Sequence, residues 1–167
     1  MIWRNPIPRY TLIETTDSNS FLQFNPDQTG LPLPPHCGSF GIQRTHDVHT
    51  GIDLYCDEHT QVFAVESGRV IDVGIFTGEK VESPWWNETF YVSVLGNTGV
   101  VVYGEIKPCV NIGDIVDESS VIGTVMQVLK RDKGRPRSML HLELMQDGYY
   151  VDPARYLQDN SVYSAEV

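Results

Sequence analysis

Short apolar runs separated by turn residues are the feature that most constrains how this chain can fold. From Phe40 onward, runs rich in Val, Ile, Tyr and Phe alternate with turns that contain Gly, Asn and Asp, a pattern typical of sheet proteins. Between two such runs, residues 96–99 (GNTG) predict a tight hairpin connection. We predict seven strands, at residues 52–54, 61–64, 68–75, 90–95, 100–106, 121–128 and 140–145.

Helices contribute little to this prediction. Long helical periodicity is absent, and only residues 153–158 are expected to form a short helix, with Asp152 as its cap and Pro153 at its first position. The length of 167 residues and the apolar content of 41% suit one domain with one core. We therefore expect a mostly β, compact antiparallel sheet domain.

The N-terminal part of the chain differs in composition from the rest. Residues 1–37 contain six of the ten prolines and little periodicity, which indicates an extended arm lying on or beside the domain. The predicted division is a Pro-rich arm at 1–37, a β domain at 38–157 and a tail at 158–167.

Charge and hydropathy exclude several classes of function. No apolar run approaches the roughly 18 residues of a membrane span, and the start, MIWRNPIPRY, lacks a secretory pattern. We expect no membrane span and a cytoplasmic location for the chain as given, with export by another route left open. The formal charge of -10 disfavours nucleic acid as a partner. Cys37, Cys56 and Cys109 lack the spacing of a cysteine metal site or a disulfide framework.

The segment MLHLELM at residues 139–145 carries the first chemical signal. In an extended strand, alternate side chains point to opposite faces, so the three leucines share one face while His141 and Glu143 share the other. The same alternation places His49 and Asp53 on one side of a second extended segment. An imidazole and a carboxylate could therefore converge at one point.

These residue types match a catalytic zinc site, which takes three protein ligands and keeps a fourth position open. His49, Asp53 and His141 meet that count. From spacing alone, however, a His and an Asp placed as His49 and Asp53 are far more often surface residues or a hydrogen-bonded pair. A lone histidine such as His141 is likewise more often hydrogen-bonded within the protein than a metal ligand.

The surrounding sequence resembles one family over residues 38–157, the lysostaphin-type (M23, LytM-like) zinc metallopeptidases. That family has a compact antiparallel β fold of the duplicated hybrid-motif type and binds zinc through a His, an Asp and a second His. Many of its members cut peptide cross-links in bacterial cell walls. The resemblance implies Zn2+ as cofactor and His49, Asp53 and His141 as its ligands. It rests on FGIQR (40–44), HTGIDL (49–54), VFAVESGRV (62–70), VYGEI (102–106), GDIV (113–116), IG (122–123), LHLEL (140–144) and VDP (151–153).

Two departures from the family pattern concern proton transfer. The first His of the H-x-H motif is Met139 here, and the His of the Y-x-H motif is Glu105. A thioether neither moves a proton nor donates a strong hydrogen bond. One hypothesis is therefore a zinc-binding protein with lost or altered hydrolysis, whose partner is a peptide, a peptidoglycan-like ligand or a protein. The alternative is a working endopeptidase in which Glu105 is the general base and Tyr103, expected on the same strand face, donates to the oxyanion.

Other possibilities receive less weight. Related hybrid-motif folds serve as phosphoryl carriers, but the Asp53 position and the missing second histidine argue against that role. Cys37 or another arm residue could supply a blocking fourth ligand, and His46 could approach the metal, although solvent exposure is the default for a loop histidine. For Trp85 and Trp86, packing is favoured over ligand binding.

Overall fold

The computed structural model describes residues 3–8, 38–43, 48–131 and 137–158. These residues form nine strands, one 3-10 turn and one short helix. The elements are β1 (Ile52–Tyr55), β2 (Gln61–Phe63), β3 (Gly68–Thr77), the 3-10 turn (Glu79–Val81), β4 (Thr89–Gly96), β5 (Val100–Pro108), β6 (Ile115–Val116), β7 (Val121–Val125), β8 (Met139–Gln146), β9 (Tyr149–Val151) and α1 (Ala154–Gln158).

All the strand pairs are antiparallel and join into a single sheet. Its main path runs β1-β8-β5-β4-β3-β6, and β9 extends the sheet beside β8. The β2–β7 pair attaches through β7 to the end of β5. Strand β8 therefore lies between β1, which ends the main path, and β5, so segments that are distant in sequence pair at this side of the sheet.

The predicted strands are confirmed with small shifts at their ends. The predicted run 121–128 ends as a strand at Val125, and the sequence pattern missed the short strands β6 and β9. The predicted hairpin joins β4 to β5, closed by a hydrogen bond of 2.9 Å from the Gly96 N–H to the Gly99 carbonyl. Gly99 has φ 139°, a conformation that side-chain-bearing residues rarely adopt.

One face of the central strands forms the core. The three leucines of β8 are fully buried on this face, as the alternation predicted. Tyr103 lies on the same face, opposite Leu142 in the β5–β8 register. Burial of these large apolar side chains is the main favourable contribution to folding, at about 25 cal/mol per Å².

The described part of the N-terminal arm, residues 3–8, is integrated into this core. Trp3 and Ile7 are 1% exposed, and the Trp3 ring stacks on Tyr156 with centroids 4.9 Å apart. Two backbone hydrogen bonds attach the segment to the end of β2 and the residues that follow it, from the Phe63 N–H to the Pro6 carbonyl and from the Arg4 N–H to the Val65 carbonyl. Residues 9–37 lie outside the described residues, and the boundaries 1–37, 38–157 and 158–167 stay predictions.

The predicted helix is present as α1. The Asp152 side chain accepts a hydrogen bond of 2.9 Å from the Ala154 N–H, so it satisfies one free donor at the helix start. Leu157 points from this helix into the core. No helix among the described residues is long and apolar enough to cross a membrane.

Candidate metal centre

Three buried side chains converge on one point of the sheet face opposite the leucines. His49 Nε2 lies 3.3 Å from His141 Nδ1 and 3.3 Å from Asp53 Oδ1, and His141 Nδ1 lies 3.0 Å from the same oxygen. Three ligands of a tetrahedral ion, with bonds of about 2.0–2.2 Å, lie roughly 3.3 Å from one another. The triangle therefore has the dimensions of a zinc site, and it unites all three predicted ligands.

Strand register brings these residues together. Asp53 and His141 are direct cross-strand partners in the β1–β8 pair. His49 precedes β1 and is held by two backbone hydrogen bonds. Its N–H donates to the Ile42 carbonyl at 3.0 Å, and its carbonyl accepts from the Gly41 N–H at 2.9 Å. Between the two ligands of this segment, Gly51 permits close approach to β8, because a Cβ there would lie 2.3 Å from the Leu142 carbonyl oxygen.

Hydrogen bonds at the far side of each imidazole define which nitrogen faces the centre as an acceptor. His49 Nδ1 lies 2.9 Å from the Ser39 carbonyl, and His141 Nε2 lies 2.8 Å from Glu143 Oε1. A carbonyl and a carboxylate only accept hydrogen bonds, so both of these nitrogens carry protons. In neutral imidazoles, His49 Nε2 and His141 Nδ1 then present lone pairs to each other and to Asp53. Three lone pairs at this separation repel one another unless a proton or a metal ion lies between them.

Protons fill that role when no metal is bound. Burial lowers the pKa of His141, but hydrogen bonds and charge interactions with Asp53 and Glu143 outweigh burial and raise it to about 10. Burial raises the pKa of Asp53, yet its interactions with His49 and His141 bring it well below the usual value. The centre therefore favours one positive charge beside its carboxylate, and a metal ion would compete with protons for the same place.

Glu143 supports the centre from outside the ligand triangle. It is 7% exposed, and its Oε1 also accepts a hydrogen bond of 2.9 Å from the Thr50 hydroxyl. A carboxylate that holds the second nitrogen of a ligand histidine is the usual outer partner of zinc. The sequence pattern placed Glu143 on the face of His141 without assigning it a role, and it contained no signal for Thr50.

Met139, which the sequence resemblance aligns with a proton-handling histidine, lies on β8 near the three candidate ligands. It lies opposite Tyr55, two residues along β8 from His141, and is 7% exposed. Its thioether packs in a satellite cluster with Tyr55, Val128 and Leu129, and Trp86 lies against that cluster. Packing thus accounts for Trp86, as expected, whereas Trp85 is 57% exposed.

The structure does not bring Tyr103 to the centre. Its ring is fully buried on the leucine face, and its hydroxyl accepts a hydrogen bond of 2.9 Å from the Val65 N–H. Burial raises its pKa well above the usual value. The Tyr103 hydroxyl thus serves as a hydrogen-bond acceptor within the core, on the side of the sheet away from the three candidate ligands.

Glu105 lies at an irregularity of β5 that interrupts the regular alternation from which a face shared with Tyr103 was expected. Tyr91 pairs with Gly104 and Phe90 pairs with Ile106, so Glu105 is the extra residue of a bulge, with φ 64°. Bulges re-aim a side chain and often lie next to active sites. Glu105 is 8% exposed.

The surroundings of Glu105 include the thiol of Cys56. Burial raises the pKa of this thiol to about 12, and the charge of Glu105 makes a smaller contribution in the same direction. Cys37 and His46 lie outside the described residues, so their weighed roles stay predictions.

Comparison with known proteins gives the family. The profile of peptidase family M23 matches residues 47–153, whereas curated protein sequences gave no match. Helicobacter pylori Csd3 has a TM-score of 0.58 at 18% identity, covering 93% of this chain and 33% of that chain. The catalytic domain of the antimicrobial peptidase lysostaphin from Staphylococcus simulans has a TM-score of 0.51 at 20% identity, covering 72% and 87%. The SpoIIQ–SpoIIIAH pore forming complex has a TM-score of 0.58 at 19% identity, covering 93% and 90%.

These likenesses show a shared fold, and the chain spans only a third of the length of Csd3. The profile match covers more than half of the chain and includes all three residues of the ligand triangle. It confirms the resemblance of the sequence, and the antiparallel sheet confirms the expected fold class. The chain belongs to peptidase family M23.

Proposed function

We propose that this protein binds one zinc ion through His49, Asp53 and His141 and uses it to hold a peptide, with hydrolysis lost or altered relative to cell-wall endopeptidases. The observation that carries the proposal is the convergence of three acceptor atoms at 3.0–3.3 Å. Two imidazoles and a carboxylate are a ligand set that zinc accepts. When bound, zinc supplies Lewis-acid polarisation of a carbonyl group.

The side chains around the centre support binding better than proton transfer. Glu143 is hydrogen-bonded to His141 and Thr50 and serves to orient the ligand. Met139 cannot accept a proton, and the Tyr103 hydroxyl is buried in the core. Peptide hydrolysis requires a group that delivers a proton to the leaving amine, and neither Met139 nor Tyr103 supplies one.

Metal content tests the proposal directly. Wild-type protein purified without added metal is expected to contain about one zinc per chain, as measured by elemental mass spectrometry. His141→Ala should remove the metal, whereas His59→Ala should not, because the His59 side chain is 83% exposed and outside the triangle. Absence of zinc from the wild type, even after zinc is supplied, would refute the ligand assignment.

The second candidate function is an active endopeptidase with Glu105 as general base. The bulge favours it, since a buried carboxylate at positive φ on β5 is backbone strain of the kind found at functional sites. Under this alternative, zinc-loaded wild type cleaves cell-wall peptides, and Glu105→Gln lowers the rate by about 10²–10⁴-fold with the zinc content unchanged. Under the first proposal, cleavage is absent or slow and Glu105→Gln changes it little.

A further inference from the structure

A row of side chains leads across the sheet from His141 and plays no part in the ligand triangle. The Phe76 ring centroid lies 5.2 Å from that of His141, and the Tyr91 ring lies edge-on to Phe76 at 6.2 Å. The Tyr91 hydroxyl donates a hydrogen bond of 2.6 Å to Asp72 Oδ2. The row therefore begins at a ligand of the metal centre and ends at an exposed carboxylate.

Two glycines allow the rings of Phe76 and Tyr91 to lie close to the backbone of the sheet. Gly104 is the cross-strand partner of both His141 and Tyr91, and Gly74 is the partner of Tyr91 on its other side. A Cβ on Gly104 would lie 2.8 Å from the Phe76 ring, and one on Gly74 would lie 2.9 Å from the Tyr91 ring. Both rings are half-buried, so part of each remains open to solvent. The result is a shallow apolar strip beside the metal centre.

We propose that this strip, formed by Phe76, Tyr91 and Asp72, is a subsite for a long side chain that ends in an ammonium group. The inference rests on the proposed function, because the side chain would belong to a peptide held at the metal centre. A methylene stem gains contact with aromatic rings, and the cationic end is attracted both to a ring face and to a carboxylate. Lysine is the side chain with this chemistry.

Charge favours a cation over the other occupants. Asp72 lies at the outer end of the strip, and the chain as a whole carries a formal charge of -10. A carboxylate-bearing side chain would be repelled, and a neutral side chain of the same length would gain only the apolar contact. The Tyr91 hydroxyl holds the carboxylate in place, which reduces the entropy lost when an ammonium binds.

Direct binding tests the subsite without relying on cleavage. Zinc-loaded protein is titrated calorimetrically with three blocked peptides, Ac-Ala-Xaa-Ala-NH2, in which Xaa is lysine, norleucine or glutamate. A cation–π contact and an exposed ion pair together predict that the lysine peptide binds about tenfold tighter than the norleucine peptide. The glutamate peptide should bind most weakly.

Matched variants locate the preference. Asp72→Asn should bring the ratio of the affinities for the lysine and norleucine peptides close to one. Phe76→Ala should weaken the binding of both peptides. Glu58→Gln is the control, because it removes one exposed negative charge elsewhere on the surface and should leave the ratio unchanged. Zinc content is measured in every variant, so that a loss of metal is not mistaken for a loss of the subsite.

The outcomes separate this inference from the proposed function. Equal affinity for all three peptides, or a lysine preference that survives Asp72→Asn, overturns the subsite and leaves peptide binding intact. A Phe76→Ala variant that loses thermal stability but keeps its affinity for both peptides would show that the ring only stabilises the sheet. That outcome also overturns the subsite. Failure of every peptide to bind zinc-loaded protein overturns both proposals.

Discussion

Replacing Glu143 by Ala is expected to weaken zinc binding without removing a ligand. In the structure, Glu143 Oε1 accepts hydrogen bonds from His141 Nε2 at 2.8 Å and from the Thr50 hydroxyl at 2.9 Å. The alanine variant leaves the Nε2 proton without its buried acceptor, so the ring loses both its orientation and part of its basicity. Removal of such an outer partner costs about 10–100-fold in metal affinity. This corresponds to roughly 1.4–2.8 kcal/mol.

The assay is a competition titration against a chromophoric zinc chelator at constant pH and ionic strength. Glu143→Gln keeps an acceptor oxygen but loses the charge, and it should fall between wild type and Glu143→Ala. Thr50→Val, which removes one hydrogen bond to the same oxygen, should have the smallest effect. Wild-type zinc affinity in Glu143→Ala, with the circular dichroism spectrum unchanged, would show that Glu143 is not coupled to the centre.

Four further outcomes follow from the described contacts. Tyr103→Phe should cost about 1–3 kcal/mol in urea unfolding, because the buried Val65 N–H loses its acceptor, and an altered zinc affinity would contradict the structural role. Trp3→Ala should cost about 3–5 kcal/mol in the same assay, since its ring is fully packed, and an unchanged midpoint would place the N-terminal segment outside the core. Met139→His restores an imidazole two residues from a ligand and should raise peptide hydrolysis, about 10²-fold or more, in a cleavage assay where wild type is the baseline. In EDTA, stability should fall as the pH rises from about 6.5 toward about 10, because the folded-state pKa of His141 is raised above its unfolded value, and a flat profile would contradict this.

Regular strands are the part of this fold that sequence reasoning could reach. Alternation with a period of two correctly separated the three leucines of β8 from His141 and Glu143, because this strand is unbroken over Met139–Gln146. The pairing of β8 with β1, which puts Asp53 opposite His141, depends on contacts between distant segments and has no local signature. The ligand set was therefore predicted from the family resemblance, and strand geometry explains why it converges.

Irregular and very short elements escaped prediction for physical reasons. Strands β6 and β9 have two and three residues, too few for a period to be recognised. The bulge at Glu105 shifts the register between β4 and β5, so alternation counted along β5 cannot be carried through it. Trp3 looked like part of a proline-rich arm, yet its stacking on Tyr156 depends on a tertiary contact that composition cannot show.

The distinction between regular strands and irregular elements also separates the candidate metal ligands from the positions aligned with proton-transfer residues. Asp53 and His141 project from paired strands whose opposite face is the core, so the packing that stabilises the fold also holds these two candidate ligands in place. Met139 and Glu105, which the resemblance aligns with proton-handling histidines, lie differently: Met139 packs into a satellite cluster, and Glu105 sits on a bulge. Neither side chain belongs to the cluster of His49, Asp53 and His141, so we expect both positions to tolerate substitution while the cluster is kept. Under the proposed function, a chain of this fold keeps its metal centre while its proton chemistry is lost or replaced.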